Sequence, residues 1–348
     1  MVTSSSNATA TVGSPGDPPG GGPGAAPPQP GRLAGLGRVL SANKSLVGLL
    51  VLMALVSLYS PNFLTVDNLL NILRQTSINA IIAFGMTFVI LTAGIDLSVG
   101  SVLAFTGAVC ASLVAANMSL WVAIPATLVL GAALGATNGV IISVGGVQPF
   151  IATLVGMTAL RGATLVFTDG RPIGTIDGAS ADAFWAVGGE YVFGLPVPVL
   201  IMIGVFLLCW FVLSHMRFGR QVYALGGNEQ VARLAGIAVG RAKVAVYAVS
   251  GLLAALAGIV ITARLESAQP TAGTSYELDA IAAVVLGGTS LMGGRGTLFG
   301  TLVGALIIGV LNNALNLMDV SSYYQMIAKG AVILLAVLVD SRSKASGA

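Results

Sequence analysis

From about Ser45 to about residue 340 the chain is a succession of apolar runs, each broken by a few polar, glycine or proline residues. A run of about 20 apolar residues is long enough to cross a bilayer. Ten stretches are read as candidate spans: 45–60, 67–92, 98–117, 120–144, 149–168, 194–214, 241–263, 277–292, 297–316 and 322–340. Continuous runs predict helices, because in lipid a segment must satisfy its own backbone hydrogen bonds. The short alternating strands of a transmembrane barrel are not the pattern here. The expected fold class is therefore all-α: a polytopic helical membrane protein of about ten transmembrane helices, with both termini cytoplasmic.

Composition sharpens this picture. Hydrophobic residues make up 55% of the chain and charged residues 8%, against about 25% charged in a soluble domain. Residues 1–40 read as a Gly/Pro-rich, disordered cytoplasmic tail, residues 41–341 as the transmembrane domain, and residues 342–348 as a short cytoplasmic end. The stretch TVGSPGDPPGGGPGAAPPQP cannot bury enough apolar surface to fold. It also lacks the basic start and apolar core of a signal peptide, so the first span is expected to be its own insertion signal. Cys110 and Cys209 fall inside spans and read as small packing residues; neither a disulfide framework nor a metal site is expected.

Charge distribution sets the orientation. With the N-terminus inside, Arg32, Arg38, Lys44, Arg217, Arg220, Arg233, Arg241, Lys243, Arg295, Arg342 and Lys344 fall on inner segments. The outer segments and helix ends hold chiefly acids, among them Asp67, Asp169, Asp177, Asp182, Glu190, Glu266, Glu277, Asp279 and Asp319. Basic residues favour the cytoplasmic side. Two loops are long. The outer one, 169–194, could dock a partner through Asp169, Asp177 and Asp182, or be simply solvated. The inner one, 215–240, contains GGNEQVARLAGI.

That inner stretch has the marks of a helix of about two turns with defined ends. Asn228 suits the N-cap, Glu229 the first turn, Arg233 the last, and Gly236 the left-handed closing position. So short a helix is marginal alone in water, so it either rests on the membrane face or docks into a partner. The chain has no G-x-x-x-x-G-K-[ST], since no lysine follows a glycine; it cannot cradle nucleotide phosphates by that device.

Inside the spans, polar residues are costly and face a bundle interior or a cavity. Thr153, Arg161, Thr164 and Thr168 fall within an arc of roughly 80° at about 100° per residue. Ser322, Gln325 and Lys329 share a face of the tenth run, and Asn312, Asn313 and Asn316 cluster in the ninth. These groups either hydrogen-bond across helices or line a solute path. Asp96 is placed to cap the third helix or to touch a partner. GAALG, Gly131 to Gly135, has a close-approach spacing, and Gly287, Gly288, Gly293, Gly294 and Gly296 bend the chain at an inner turn.

Several long segments resemble the permease subunits of bacterial ABC sugar importers of the ribose type. They are ILTAGIDLSVGSVLAFTGA, QPFIATLVGMTALRGATLVFTDGRPI, RFGRQVYALGGNEQVARLAGI, AQPTAGTSYELDAIAAVVLGGTSLMGGRGTLFGTLVGALIIGVLNNALNL and VSSYYQMIAKGAVILLAVLVD, in order over residues 45–340. The resemblance implies a transport subunit of the cell membrane that is not an enzyme and holds no cofactor. ATP and Mg would be bound by a separate cytoplasmic ATPase. An extracytoplasmic sugar-binding protein, a second permease subunit (like or unlike), a monosaccharide and lipid complete the implied partners, with no nucleic acid among them. The family's coupling helix corresponds to Gly226–Ile237, so Asn228, Glu229, Gln230, Arg233 and Leu234 are expected to meet the ATPase. Thr153, Arg161, Thr164, Gln325, Lys329 and Asn312 are the candidate pathway residues. An ion-coupled secondary transporter, or a permease for a solute such as a nucleoside, is the alternative.

Overall fold

The computed structural model describes residues 44–174, 180–321, 323–331 and 334. The expected tails at 1–40 and 342–348, Asp177 and Ser322 lie outside the described residues, as does most of the tenth run beyond 331.

Helices dominate. They are α1 Lys44–Tyr59, α2 Val66–Leu91, α3 Val99–Ala115, α4 Leu120–Ser143, α5 Pro149–Thr168, α6 Ala181–Gly189, α7 Val197–His215, α8 Arg217–Gly227, α9 Glu229–Leu234, α10 Val239–Leu265, α11 Tyr276–Leu286 and α12 Leu298–Leu317, followed by a helical stretch at 323–331. Six of them, α2, α4, α5, α7, α10 and α12, are long and apolar enough to cross a membrane; α3 and α1 from Ser45 are shorter apolar helices. Four two-residue strands complete the described elements. β1 (Ile173–Gly174) pairs antiparallel with β4 (Ser267–Ala268), and β2 (Tyr191–Val192) with β3 (Leu195–Pro196). The result is an all-α membrane architecture.

Two helices sit at the centre. In α2 nearly every residue from Thr76 to Leu91 is buried, the pattern of a helix surrounded by others. In α10 burial runs from Val239 to Ala263. The inward face of α4 carries Ala123, Thr127, Gly131, Gly135, Asn138 and Gly139, spaced by three and four residues so that they form one stripe. This stripe meets α10 backbone to backbone. A side chain at Gly135 would meet the Tyr247 carbonyl and Gly251, and one at Gly251 would meet the Gly131 carbonyl. The close approach expected of GAALG is thus made against α10.

Three segments differ from the sequence reading. The run expected at 277–292 is helical only to Leu286; at 1.5 Å per residue this gives about 16 Å, roughly half the apolar thickness of a bilayer. Glycine is the reason: Gly287 lies against the Gly300 backbone, and Gly288 takes a φ of +85°. The outer loop 169–194 holds α6, whose Phe184 is fully buried and whose Gly188 abuts the backbone of Ala263 and Arg264. The inner loop 215–240 holds α8 as well as the short helix expected there.

If the α4–α10 contact organises the bundle, Gly251→Leu should cost several kcal/mol, above the ~1–3 kcal/mol typical of added core methylenes, because backbone rather than side chains blocks it. Gly204→Ala in α7, with nothing within 4 Å, should leave the unfolding midpoint in detergent unchanged or slightly raised; equal effects of the two would refute the assignment.

Candidate functional site

Two polar features stand at opposite ends of α10. The first is the inner loop. Asn228 takes extended backbone angles, and its side-chain oxygen accepts from Val231 N at 3.0 Å, closing the first turn of α9. Gly236, with a φ of +83°, ends the helix in the left-handed region. Both caps fall where the sequence places them. Glu229 accepts from Lys243 of α10 at 2.7 Å and from Arg233 at 3.3 Å. The Lys243 hydrogen bond holds the Glu229 carboxyl below its usual range. A lowered carboxylate favours the fold above its unfolded value, so this brace is complete near neutral pH and is lost as pH falls through the lowered value. Exposed pairs of this kind contribute about 0.2–1 kcal/mol, so they orient α9 more than they stabilise the protein.

Ala232 is the buried face of α9, while Gln230, Val231, Arg233 and Leu234 point away from the bundle. Leu234 is 88% exposed. Glu229, Gln230, Arg233 and Leu234 line one open cleft. A short helix presenting two aliphatic side chains and an arginine outward, and held by a lysine behind it, has the form of a docking knob. Its base is α8, which buries Gly219, Val222 and Leu225. Tyr223 Oη donates to the Gly296 carbonyl at 2.9 Å, and Gly294 N donates to the Leu91 carbonyl at 2.9 Å. A Cβ at Gly226 would strike that same Leu91 carbonyl. The glycine turn after α11 therefore locks onto the base of the knob.

The second feature is a cavity of about 340 Å³. Gln75, Thr76 and Asn79 of α2, Arg264 of α10, Tyr276 and Asp279 of α11, Asn312 and Asn316 of α12, and Gln325 and Lys329 beyond it line the cavity with Ile78, Ala305 and Gly309. Arg264 lies 21 residues past Lys243 on one helix, about 30 Å at 1.5 Å per residue. Lys329 Nζ lies 2.9 Å from Asp279 Oδ2, with the Asp279 side chain 4% exposed. Gln325 Nε2 donates to Asn316 Oδ1 at 2.7 Å. Thr76 Oγ1, Asn79 Oδ1 and Asn312 Oδ1 are buried with no hydrogen-bond partner among the described residues. These three oxygens are individually covered, so their residues line the cavity without those atoms opening into it.

The expected pathway residues divide. Asn312, Gln325 and Lys329 line the cavity. Thr153, Arg161 and Thr164 do not. Arg161 Nη1 donates to the carbonyls of Pro270 and Ala272 at 3.0 and 2.8 Å, clamping α5 to the segment before α11. Thr164 Oγ1 donates to Leu160 O of its own helix, and Thr153 Oγ1 to Pro149 O and, across the bundle, to Ile95 O. A shared helical face places these three together, and among the described residues their side chains bond to protein carbonyls, partners that periodicity does not reveal. The asparagine cluster also divides, because Asn313 forms a reciprocal amide pair with Asn68 of α2 at 3.1 and 2.8 Å. Sequence reasoning missed Gln75, Thr76, Asn79, Arg264, Tyr276 and Asp279 as lining. The signal was present in α2, where Asn68, Asn71, Gln75 and Asn79 recur at helical spacing.

Asp96 is buried; it accepts from the backbone and hydroxyl of Ser98 at the start of α3 and from Ser250 Oγ of α10. The N-cap residue of α3 is Ser98, with no side-chain cap bond, and Asp96 instead holds the turn before it. In the outer loop, Asp169 ends α5 in a left-handed conformation and Asp182 is exposed in the first turn of α6.

Residues 68–337 match the family model described as "Branched-chain amino acid transport system / permease component". The chain is 61% identical to the ribose import permease protein of Haemophilus influenzae over 88% of this chain and 95% of that one. It is 62% identical to the ribose import permease protein of Escherichia coli over the same shares, 88% and 95%. With the Bacillus subtilis ribose import permease protein the identity is 54%, over 86% of this chain and 92% of that one. No solved structure matches. Membership in such a family implies an ATPase and a substrate-binding protein as partners. The chain belongs to the ABC-importer permease components and, among them, to the ribose type: it is a multi-pass transport subunit of the bacterial inner membrane, not an enzyme.

Proposed function

We propose that ribose, or a monosaccharide of closely similar shape, crosses the membrane through this subunit by way of the cavity between α2, α11, α12 and the 323–331 helix, and that α9 transmits the work of a separate ATPase. The observation that carries the reading is the polar lining of the cavity, to which Gln75, Asn79, Asn312, Asn316 and Gln325 bring amides and Asp279 with Lys329 a charged pair. Sugar hydroxyls can both donate to and accept from such groups. A branched aliphatic side chain would need an apolar lining, and Ile78, Ala305 and Gly309 are too few to make one. A few neutral hydrogen bonds also suit a subunit that must release what it admits, each having a modest net value of about 0.5–1.5 kcal/mol.

In this reading ATP and Mg stay on the ATPase, whose cleft receives Gln230, Val231, Arg233 and Leu234. Glu229 braces the helix from behind through Lys243, and Asn228 caps it. The sugar-binding protein meets the opposite face near Asp169 and Asp182, and a second permease subunit, identical or similar, completes the membrane part.

Three outcomes follow for the complex reconstituted in vesicles. Asn79→Leu or Asn312→Leu should lower ATP-dependent ribose uptake about tenfold, the equivalent of about 1.4 kcal/mol, while ATP hydrolysis persists; unchanged uptake in both variants would dismiss the cavity as the path. Arg233→Ala with Leu234→Ala should weaken ATPase association, as read by co-purification, and leave membrane insertion intact. Glu229→Gln should keep association but raise amide exchange in α9, because only the brace is lost.

A further inference from the structure

Asp279 is placed unlike any other carboxylate among the described residues. It stands in the first turn of α11, a half-length helix, and is 3% exposed. Its Oδ2 takes the Lys329 ammonium at 2.9 Å. Lys329 is the side-chain partner shown for this carboxylate among the described residues, and it meets Oδ2 rather than Oδ1. The pair reaches across the cavity from α11 to the 323–331 helix. A pair kept only for cohesion would need its remaining lone pairs satisfied, since a buried ion pair repays its desolvation only with further hydrogen bonds. Thr76, 2% exposed and with its hydroxyl unpartnered, shares the same cavity.

Resting on the cavity as the sugar path, we infer that Asp279 is the specificity-determining residue of the membrane step, its carboxylate accepting from two neighbouring hydroxyls of a neutral sugar while Lys329 holds it in place. A carboxylate offers two oxygens in one plane, with about four acceptor sites. One ammonium occupies part of that capacity and fixes the orientation of the rest. The acceptor capacity left over selects a solute that brings donors on adjacent carbons. A solute with a single hydroxyl satisfies less of it and leaves a charged acceptor bare, the costly case. Lys329 is the positioning residue: it also ties the 323–331 helix to α11, so hydroxyls that share the carboxylate loosen the contact closing one side of the cavity.

The test uses the full complex of permease, ATPase and sugar-binding protein in proteoliposomes, with radiolabelled ribose. Asp279→Asn should lower uptake about tenfold or more, as expected when an acceptor loses its charge, and Asp279→Glu should recover most of it. The exchanged pair, Asp279→Lys with Lys329→Asp, should restore the unfolding midpoint in detergent that either single change lowers, yet remain inactive in uptake. Uptake restored by the exchange, or Asp279→Asn within twofold of the original, would make the pair a tether and overturn the inference. Loss in Asn79→Leu and Asn312→Leu alongside full activity of Asp279→Asn would do so while leaving the cavity as the path. If the exchanged protein fails to fold, Asp279→Asn is read beside its own unfolding midpoint: uptake lost with the midpoint unchanged supports the inference, and uptake lost only in step with the midpoint overturns it.

Discussion

Close contact between α4 and α10 is the constraint on which the remaining architecture depends. Gly131, Gly135 and Gly251 let two backbones approach where any side chain would collide. In lipid, helices gain little from hiding apolar surface and associate through packing and cross-helix hydrogen bonds. Small residues on one stripe are therefore what fixes the position of α10, a helix of 27 residues. Ser250 on that helix reaches Asp96, Asn138 of α4 reaches Ser98, and the turn entering α3 is held by both.

With α10 fixed, the polar features at its two ends are fixed as well. Lys243 at one end holds Glu229 and so aims α9 away from the bundle. Arg264 at the other end lines the polar cavity. A second route joins the same two places. The base of α9 locks through Gly226 and Tyr223 onto the glycine turn of residues 287–296, and that turn leads into α11, whose far end bears Asp279. Because α11 is short, a shift at the turn reaches the cavity through one rigid segment of 11 residues. Two routes of rigid elements, α10 and the glycine turn with α11, thus join α9 to the cavity.

Polar side chains inside the bundle fall into two groups with different chemistry. Arg161, Thr153, Thr164, Asn68 and Asn313 find protein partners and stitch helices or turns together. Gln75, Asn79, Asn312, Asn316, Gln325 and Lys329 line the polar cavity instead. Which group a side chain joins depends on the element packed against it, and no helical wheel shows that.

Much was legible in the chain itself. Apolar runs fixed the all-α membrane class, since backbone desolvation admits few alternatives. Local chemistry fixed the caps of α9, because Asn228 and Gly236 act within a turn of themselves. Ordered resemblance over most of the length fixed the family. What the tertiary structure alone decided were the partners of side chains far apart in sequence. Helical periodicity put Arg161 and Lys329 in equivalent roles, yet Arg161 clamps Pro270 and Ala272 while Lys329 meets Asp279, 50 residues away. Periodicity defines a face but not what lies opposite it, and in a bundle the opposite element is set by packing over the whole chain.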